Sequence, residues 1–541
     1  MSDNAGRVGP GRALRRGGSL TGAAPTDAGR VGLAPAPAGR EMGFLIGLDV
    51  GSQSVKACVL DDAGQRLATA DAPCPLSFPT GGWAEQDPAD WRRAIARATQ
   101  DACSLAGVTR ADEVTLGLAC QVDGVVAADA DHRPLRPAII WMDRRASAQS
   151  AALAQAAGAE RLRSITGLNP DASHSGPKTM WLRDHEPEHY RSARRLASVG
   201  GYLNGWLTGT TVHDHANASS SLLYDLTARD WSAELVERAG LDQAQLPALA
   251  AAHEEIGTLR PEPADEIGLS PRTRVVCGTG DDHAATLGAG GIGPGTLVDV
   301  TGTAEPVAAP VAAVVIDPDG LVETHAHAID GMLLLENPGF VSGGSVRWLA
   351  ELTGRTQVDS LAAAAEAPVG SGGVLFLPAL SGSMAPRWDE RMRGSFAGLS
   401  LDHGVGHLAR AVLEGCAYAL RDIVDRLEAL GAGADEIRVV GGGARSDVWL
   451  QIKADVTGRP VRRVLGDCAT STGAAMLAGI GTGAFTDPEQ AVAACVALDA
   501  GPVRPDPRAV EAYRGRHRAY RGLFDSLERW TADAPTEREP R

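Results

Sequence analysis

A short apolar run that ends in an acid and a glycine turn constrains this chain more than any other feature. The segment IGLDVGSQSVK (residues 46–56) places Asp49 near the end of the run, Gly51 in the turn and Lys56 after two serines. Apolar residues return at 57–60, so the turn joins two strands. Such a hairpin exposes backbone N–H groups and hydroxyls to an anion, whereas Walker and dinucleotide loops lead into helices. An ordinary hairpin with a polar tip satisfies the same pattern.

A second segment of the same kind distinguishes these readings. LVDVTGT (residues 297–303) again runs from an apolar strand into a glycine turn with hydroxyls, and apolar residues follow at 307–309. Two anion-type hairpins about 250 residues apart predict two related domains that face one nucleotide across a cleft. Strands alternate with helical segments in both halves, which indicates α/β architecture. The predicted fold is therefore two actin-like ATPase (ribonuclease H-like) domains flanking a central catalytic cleft.

The chain is long enough for several domains, and its composition suggests the boundaries. Residues 1–41 are rich in Gly, Ala, Pro and Arg without large apolar periodicity, which predicts disorder. The glycine-rich passage 288–295 predicts a hinge between the halves. The predicted divisions are a disordered N-terminal extension at 1–41, an N-terminal domain at 42–290, a C-terminal domain at 291–528 and a polar tail at 529–541.

Charge and cysteine content restrict the partners and the compartment. A net charge of −16 argues against a nucleic-acid partner, and the absence of a long uncharged apolar stretch argues against membrane insertion. The eight cysteines are scattered without a Cys-x-x-Cys pair, which favours reduced thiols and a cytoplasmic protein. A homodimer stays open, because nothing in the sequence sets the oligomeric state.

Local patterns predict the elements that carry the motifs. Asp87 followed by Pro88 predicts the start of a helix. The buried face of this helix is predicted to carry Trp91, Ile95, Ala98 and Leu105. Further strands are predicted at 114–120, 138–141, 274–278 and 438–440, and helical segments at 179–185 and 200–207. A helix capped by Ser446 and ended by Gly458 should follow the last of these strands.

Several longer motifs carry a resemblance to a known family. GSFAGL (394–399), the segment 407–414 and SHSGPKTMWLRDH (173–185) match two family signatures, with Thr179 in place of an apolar residue. From residue 43 to about 527 the chain resembles the FGGY family of carbohydrate kinases. Within that family, three further stretches look most like xylulose kinases. They are GGWAEQDPADW (81–91), DHRPLRPAIIWMDRR (131–145) and VVGGGARSDVW (439–449).

The resemblance implies ATP-dependent phosphorylation of a sugar with Mg²⁺ as a cofactor. Asp281 matches the catalytic aspartate of the family's Gly-Asp-x-x-Ala-Ala motif, where it would accept the proton of the attacking hydroxyl. From the residues alone, a helix-capping aspartate is the alternative. Asp49 would hold Mg²⁺ through water, because this ion sheds its hydration shell reluctantly.

The resemblance also implies which residues bind the nucleotide. The residues of the two hairpins would contact the phosphates. For Lys56, a solvated cation on an edge strand is the alternative interpretation. Gly442, Gly443 and Ala444, with Asp447 after them, match the adenosine loop, where glycine lets the backbone approach a flat base. The full implied set is Ser52, Gln53, Lys56, Gly302, Thr303, Gly343, Arg347, Gly442, Gly443, Ala444 and Asp447.

The sugar side departs from the pattern usual in xylulose kinases. Gln-Val-Asp-Gly stands at 121–124 where xylulose kinases usually have Gln-Met-His-Gly, and Trp-Met-Asp stands at 141–143 in place of Trp-Asn-Asp. An acid at 123 resembles glycerol kinases and suits hydroxyl-rich substrates, while the second departure resembles ribulose kinases. Trp141 and Trp83 could stack on a sugar face or serve the core. The predicted substrate contacts are Val122, Asp123, Asp143, Asp282 and Trp83.

The resulting prediction is a kinase that converts D-xylulose to D-xylulose 5-phosphate in pentose catabolism. Alternative substrates are ribulose, ribitol, erythritol and glycerol. A non-enzymatic protein of the actin-like ATPase fold would keep the hairpins without needing the Asp281 motif. A dehydrogenase is suggested only by the glycine triplet at 441–443, which is not Gly-x-Gly-x-x-Gly.

Overall fold

Two mixed β-sheets form the framework of the computed structural model, which describes residues 43–533. The predicted disordered extension, residues 1–41, lies outside the described residues. The last helix continues to Asp533, so the residues 529–533 that were assigned to a polar tail are helical. The rest of that tail also lies outside the described part of the chain.

The strands of the described chain are β1 (Gly43–Val50), β2 (Ser54–Asp61), β3 (Arg66–Pro73), β4 (Glu85–Gln86), β5 (Glu113–Cys120), β6 (Val126–Ala128), β7 (Ala138–Ile139), β8 (Arg195–Ala197), β9 (Val212–Asp214), β10 (Tyr224–Asp225), β11 (Asp230–Trp231), β12 (Ala248–Ala250), β13 (Glu255–Thr258), β14 (Arg274–Val276), β15 (Thr279–Gly280), β16 (Thr296–Val300), β17 (Val307–Val311), β18 (Glu323–Ala326), β19 (Leu333–Asn337), β20 (Leu375–Leu377), β21 (Ser395–Ala397), β22 (Glu436–Val440) and β23 (Val461–Arg463).

The α-helices of the same residues are α1 (Pro88–Ala106), α2 (Ser147–Ala157), α3 (Ala159–Thr166), α4 (Ser175–His185), α5 (Pro187–Ser192), α6 (Val199–Thr208), α7 (His215–Ser219), α8 (Ala233–Arg238), α9 (Pro261–Ile267), α10 (Asp281–Gly288), α11 (Gly343–Leu352), α12 (Gln357–Glu366), α13 (Val405–Ala429), α14 (Asp447–Thr457), α15 (Ala469–Thr482), α16 (Pro488–Cys495) and α17 (Pro507–Asp533).

Both sheets are built around a hairpin of the kind that the sequence predicts. The first sheet has the order β13-β14-β5-β1-β2-β3, and the second has the order β18-β19-β17-β16-β22-β23. In each sheet the hairpin is antiparallel, β1 with β2 and β16 with β17, and its first strand pairs in parallel with a later strand, β5 or β22. This repeated arrangement confirms the predicted two-part α/β fold.

The helix after Asp87 follows its prediction except at one position. The Asp87 side chain accepts a hydrogen bond from the N–H of Ala89, and α1 begins at the following proline. Trp91, Ile95 and Ala98 are fully buried, but Leu105 is 71% exposed. The buried stripe continues through residues 102 and 103, so a residue at 105 falls outside it.

The predicted strand at 138–141 is also only partly present. Residues 138–139 form β7, which pairs with β4 in a separate two-stranded sheet, and Trp141 is 39% exposed. The other predicted elements are present with shifted ends: β5, β14, β22, α4, α6, and α14 with its caps at Ser446 and Gly458.

The helix α15 comes late in the chain but packs across the first sheet at backbone distance. A Cβ built on Gly473 would lie 2.0 Å from the carbonyl oxygen of Ala284 in α10, and one on Gly47 in β1 would lie 1.8 Å from the carbonyl oxygen of Ser471. Only glycine fits at such contacts. The helix α15 therefore contacts both β1, which carries Asp49, and α10, which begins at Asp281.

Replacing Gly473 with alanine should destabilise the fold by roughly 1–3 kcal/mol or more, because the new methyl overlaps the α10 backbone. Gly522→Ala is the matched control, since Gly522 is also a helical glycine but an added Cβ meets nothing within 4 Å. There the substitution should stabilise by about 0.5–1 kcal/mol. Urea unfolding measures both, and equal effects of the two substitutions would contradict the close packing.

Candidate functional site

Asp281 lies at the junction of β15 and α10, beside a cavity of about 230 Å³. Its carboxylate accepts a hydrogen bond of 3.1 Å from the N–H of Asp282 and another from the N–H of Val122. The start of a helix favours negative charge, because its unpaired N–H groups point at the acid. The side chain is therefore oriented into the cavity by the backbone and keeps a free oxygen surface for a substrate.

Two acids that line this cavity, Asp281 and Asp282, resist ionisation, as does Asp49, which interacts electrostatically with Asp281. Burial raises the pKa of Asp281 to about 6, although the N–H groups of Asp282 and Val122 stabilise its carboxylate. Burial and the nearby Asp281 raise the pKa of Asp49 to about 7. Burial, followed by Asp281 and Asp123, raises the pKa of Asp282 well above its usual range. A carboxyl whose pKa lies near neutrality is suited to accepting a proton during a reaction.

Asp123 faces the same cavity from a strained turn. Its φ of 61° lies in the left-handed region, which aspartate tolerates better than most residues. The Nζ of Lys178 donates to its carbonyl oxygen at 2.8 Å, and the Nδ1 of His174 lies 3.5 Å from its Oδ1. That Oδ1 is buried and has no hydrogen-bond partner. Burial opposes protonation of His174, but the charge of Asp123 raises its pKa to about 9.

The second half of the chain also contributes to this cavity, which the sequence reasoning did not foresee. Glu323 and His325 of β18, Glu336 of β19 and Trp388 line it from the second half. Residues of the first half that also line it are Arg144, Ser173 and His174. Glu336 is 4% exposed, and burial raises its pKa well above its usual range. The sequence Glu-Thr-His in β18 could have indicated this contribution, because residues two apart lie on one face of a strand and these two are both polar.

Two of the predicted sugar contacts lie elsewhere. Asp143 is fully buried, and its oxygens accept hydrogen bonds from the N–H of Ala84 at 2.6 Å and from Arg145 at 2.7–2.9 Å. The ring of Trp83 lies 3.6 Å under the guanidinium of Arg145 and packs edge-on against Trp181. Neither residue lines the cavity, and both contact Arg145. Val122, Asp123 and Asp282 do line it, as does Trp141.

The predicted nucleotide residues of the second half meet around the turn of its hairpin. The N–H of Gly443 donates to the carbonyl oxygen of Thr301 at 3.1 Å, and the N–H of Gly343 donates to that of Gly302 at 3.0 Å. A Cβ on Gly443 would lie 2.3 Å from the Thr301 side chain. The glycine loop, the hairpin turn and the start of α11 are thereby in direct contact. Thr303 and Arg347 are exposed at this location.

A second cavity, of about 740 Å³, brings the first hairpin opposite the glycine loop. Lys56 lines one side, and Gly441 and Gly442 line the other. Ser52 lies at the first cavity, where its hydroxyl accepts a hydrogen bond of 2.8 Å from Trp141. Gln53 is exposed at the tip of the hairpin. The first hairpin therefore contacts both cavities. Residues placed in this way can contact a molecule in either one.

Asp447 and Ala444 are held by one arginine. The guanidinium of Arg463 donates to the carboxylate of Asp447 and, at 2.7 Å, to the carbonyl oxygen of Ala444. Ala444 is buried, while the Asp447 side chain is 90% exposed. The arginine fixes the end of the glycine loop relative to the start of α14.

The second hairpin is neutralised internally. Lys453 of α14 is 1% exposed and donates to Asp299, to the hydroxyl of Thr301 and, at 3.0 Å, to Glu305. Asp299 occupies the position in β16 that Asp49 occupies in β1, since each precedes the hairpin turn by two residues. Asp299 is thus engaged by a buried lysine, whereas Asp49 is not.

Asp49 is the residue of this site that could hold a metal ion. In residues 43–533, no group of three or more His, Cys, Asp or Glu is arranged to bind a metal. A single carboxylate fits Mg²⁺, which typically keeps several waters and takes its other ligands from substrate phosphates. Burial raises the pKa of Asp49 to about 7, and the charge of Lys56 offsets this only in part.

The family is established by comparison with known proteins. The chain matches the model of the FGGY family of carbohydrate kinases, N-terminal domain, over residues 44–288, and the C-terminal domain model over residues 299–482. The chain therefore belongs to the FGGY family of carbohydrate kinases. It is a sugar kinase that uses ATP, which excludes the non-enzymatic and dehydrogenase alternatives.

Relatives with two different named substrates are similar to this chain. The xylulose kinase of Escherichia coli K12 is 34% identical over 491 residues, covering 89% of this chain and 99% of the relative. The glycerol kinase of Thermococcus gammatolerans is 32% identical over 447 residues, covering 81% and 89%. The solved xylulose kinase of Rhodospirillum rubrum superposes with a TM-score of 0.81 at 30% identity, covering 90% of this chain and all of that one.

No helix in residues 43–533 combines the length and apolar character needed to cross a membrane.

Replacing Lys453 with methionine should reduce the free energy of unfolding by about 3–5 kcal/mol, because Asp299 and Glu305 would remain buried without their cation. Arg445→Met is the matched control, since its ion pair with Asp467 is about 70% exposed on both sides. That change should cost less than about 1 kcal/mol. Chemical denaturation compares the two variants, and a loss below 1 kcal/mol at position 453 would contradict the buried network.

Proposed function

We propose that this sugar kinase phosphorylates D-xylulose to D-xylulose 5-phosphate, with Asp281 as the proton acceptor. The observation that carries the proposal is the arrangement at the first cavity. Asp281 is oriented into it by two backbone N–H groups, and Asp123 lines the same cavity from the facing turn. A hydroxyl-rich molecule between them could donate to Asp123 while its terminal hydroxyl donates to Asp281.

Transfer needs the terminal hydroxyl to lose its proton as its oxygen attacks the γ-phosphorus of ATP. Asp281 takes that proton, and Asp282 and Val122 flank it on the substrate side. Ser52, which contacts the first cavity, and Lys56, which lines the second, would face the transferred phosphate. Gly302, Thr303 and Gly343 would meet the phosphates from the other sheet.

The adenosine would lie against Gly442, Gly443 and Ala444, with Asp447 and Arg347 nearby. Thr301 and Trp449 already fill the space beside Gly443, so a side chain at that position would displace the loop. Asp49 would hold Mg²⁺ through water, and the ion would neutralise charge on the phosphates. Closure of the two halves about the hinge at 288–295 would exclude water, which otherwise competes as an acceptor.

Two observations bear on the choice of substrate, the relatives of the chain and the side chains of the pocket. Xylulose kinases are among the most similar relatives, whereas Asp123 gives the pocket an acid of the glycerol kinase kind. Ribulose, ribitol, erythritol and glycerol are therefore the competing substrates. The domain limits at residue 290, a cytoplasmic location and a homodimer stay predictions.

Asp281→Asn should lower kcat by roughly 10²-fold or more, because the amide keeps the shape but cannot accept the proton. The KM for ATP should change little, since the residue lies on the substrate side. A coupled assay for ADP formation measures both values, and activity within threefold of the parent would remove Asp281 from this role.

The same residue should set the acid limb of the pH profile. With a pKa near 6, the carboxylate is available above that pH and is lost as the pH falls through it. The rate should then drop about tenfold per pH unit below 6. The residual activity of Asp281→Asn should lack this limb, and a limb that persists in the variant would assign it to another group.

Asp123→Gly tests the substrate contact, because glycine accepts the φ of 61° while removing the carboxylate. Losing charge-assisted hydrogen bonds should lower kcat/KM for D-xylulose by about 10- to 100-fold.

The substrate itself is tested with the unmodified protein. Among D-xylulose, ribulose, ribitol, erythritol and glycerol, the highest kcat/KM should be that for D-xylulose. A higher value for another member would replace D-xylulose as the substrate.

A deoxy analogue and a melting curve separate binding from structure. The loss in Asp123→Gly should be small for an analogue that lacks the contacted hydroxyls. An equal decline on all substrates with a lowered melting temperature would instead identify Asp123 as a turn residue.

A further inference from the structure

Two cysteines from distant parts of the sequence lie side by side where α15 meets the first sheet. Cys58 is on β2 and is fully buried, while Cys468 is the residue before α15 and is 8% exposed. The two side chains belong to one buried cluster, and Cys58 pairs in register with Gly47, which α15 contacts at Ser471. Cys468 also lines the 740 Å³ cavity, so a small molecule can approach its sulfur from solvent.

The surroundings of Cys468 favour a thiolate. The Nη1 of Arg66 donates to its sulfur at 3.0 Å, and the hydroxyl of Thr472 lies 3.5 Å away. The sulfur is also at the N-terminal end of the 14-residue helix α15, which favours negative charge. The contact with Cys58 contributes most to lowering the pKa of Cys468, which falls to about 5 despite burial.

Acidic groups nearby oppose this ionisation but do not contact the sulfur. Asp467 adjoins Cys468 in sequence, and its charge acts on Arg66. Asp49 interacts with Cys468 only at longer range. The guanidinium of Arg66 is therefore the charged group in direct contact with the sulfur.

We propose that Cys468 and Cys58 are a peroxide-reactive pair that closes to a disulfide between β2 and the start of α15. The assignment is independent of which sugar the kinase phosphorylates. Lys56 lies two residues before Cys58 on the same face of β2, so the bond would tie the strand of the phosphate-side hairpin to the second half of the chain.

The reaction needs a hydroperoxide as the oxidant. The Cys468 thiolate attacks one peroxide oxygen and breaks the O–O bond, which leaves a sulfenic acid. The other oxygen takes up from solvent the proton that the thiol lost on ionisation, and it leaves as water or an alcohol. The Cys58 sulfur then attacks the sulfenic sulfur, and the hydroxyl leaves as water with the Cys58 proton. With hydrogen peroxide, two thiols give one disulfide and two waters.

Exposure alone predicts a different reactive cysteine, which provides the control. Cys495 is more exposed than Cys468, but burial raises the pKa of its thiol to about 12. Iodoacetamide at pH 6 should therefore label Cys468 at least about 10²-fold faster than Cys495 in the full-length protein. Faster labelling of Cys495 would overturn the proposal.

The disulfide is tested by treating the full-length protein with hydrogen peroxide, blocking free thiols and mapping the peptides by mass spectrometry. The expected product is a peptide pair joined at Cys58 and Cys468, which dithiothreitol separates. Cys468→Ser should abolish it, and Cys495→Ser should leave it unchanged. Cys58→Ala, which preserves the apolar packing, should instead accumulate a sulfenic acid at Cys468 that dimedone traps.

The absence of the joined peptide in oxidised protein that keeps its melting transition would overturn the proposal, as would dimedone labelling that does not increase in Cys58→Ala. None of these readouts uses kinase activity, so a failed substrate assay and a failed disulfide are distinguishable.

Discussion

The contact between α15 and the first half of the chain is the constraint on which the rest of the site depends. Helix and sheet approach until backbone touches backbone, at Gly47 in β1 and at Gly473 opposite α10. Interiors packed this closely transmit displacement because no void absorbs it. The positions of Asp49 and Asp281 are consequently coupled to each other and to a helix that arrives more than 180 residues after α10 in the sequence.

The electrostatics of the cleft follow from an uneven distribution of cations. The first hairpin presents Asp49 without a buried partner, whereas the second hairpin has its equivalent acid, Asp299, neutralised by Lys453. The second hairpin is therefore balanced by its own lysine, whereas the first cavity is lined by acids of both halves whose pKa values are raised. Such a site is stabilised by a cation or by a substrate that supplies hydrogen-bond donors, which suits a kinase that holds a phosphorylated nucleotide beside a polyhydroxyl compound.

The parts of the fold and site that follow from local pattern were predictable from the sequence. The two hairpins, the capped helix after Asp87 and the placement of Asp281 at the end of a strand each rest on turn and cap chemistry that acts within a few residues. The contribution of β18 and β19 to the first cavity was not predictable, since it depends on how the second sheet faces the first.

Contacts between residues distant in sequence account for other differences from the expected pattern. Asp143 and Trp83 stay predicted substrate contacts, and in the structure both contact Arg145. Leu105 looks like a core residue by spacing, but the buried stripe of α1 passes through residues 102 and 103. In each case the sequence supplies the chemistry of the side chain, whereas its neighbours in space decide what that chemistry is used for.

The lysines have a practical consequence. Lys56, Lys178 and Lys453 are the lysines of the whole sequence. Lys178 and Lys453 are buried, while Lys56 is exposed at the second cavity. An amine-directed acyl reagent would therefore find one accessible side chain in the folded protein, and that side chain stands at the cleft. A fluorophore attached to Lys56 would report on the opposing loop once the α-amino group of the N-terminus, which reacts with the same reagents, has been blocked.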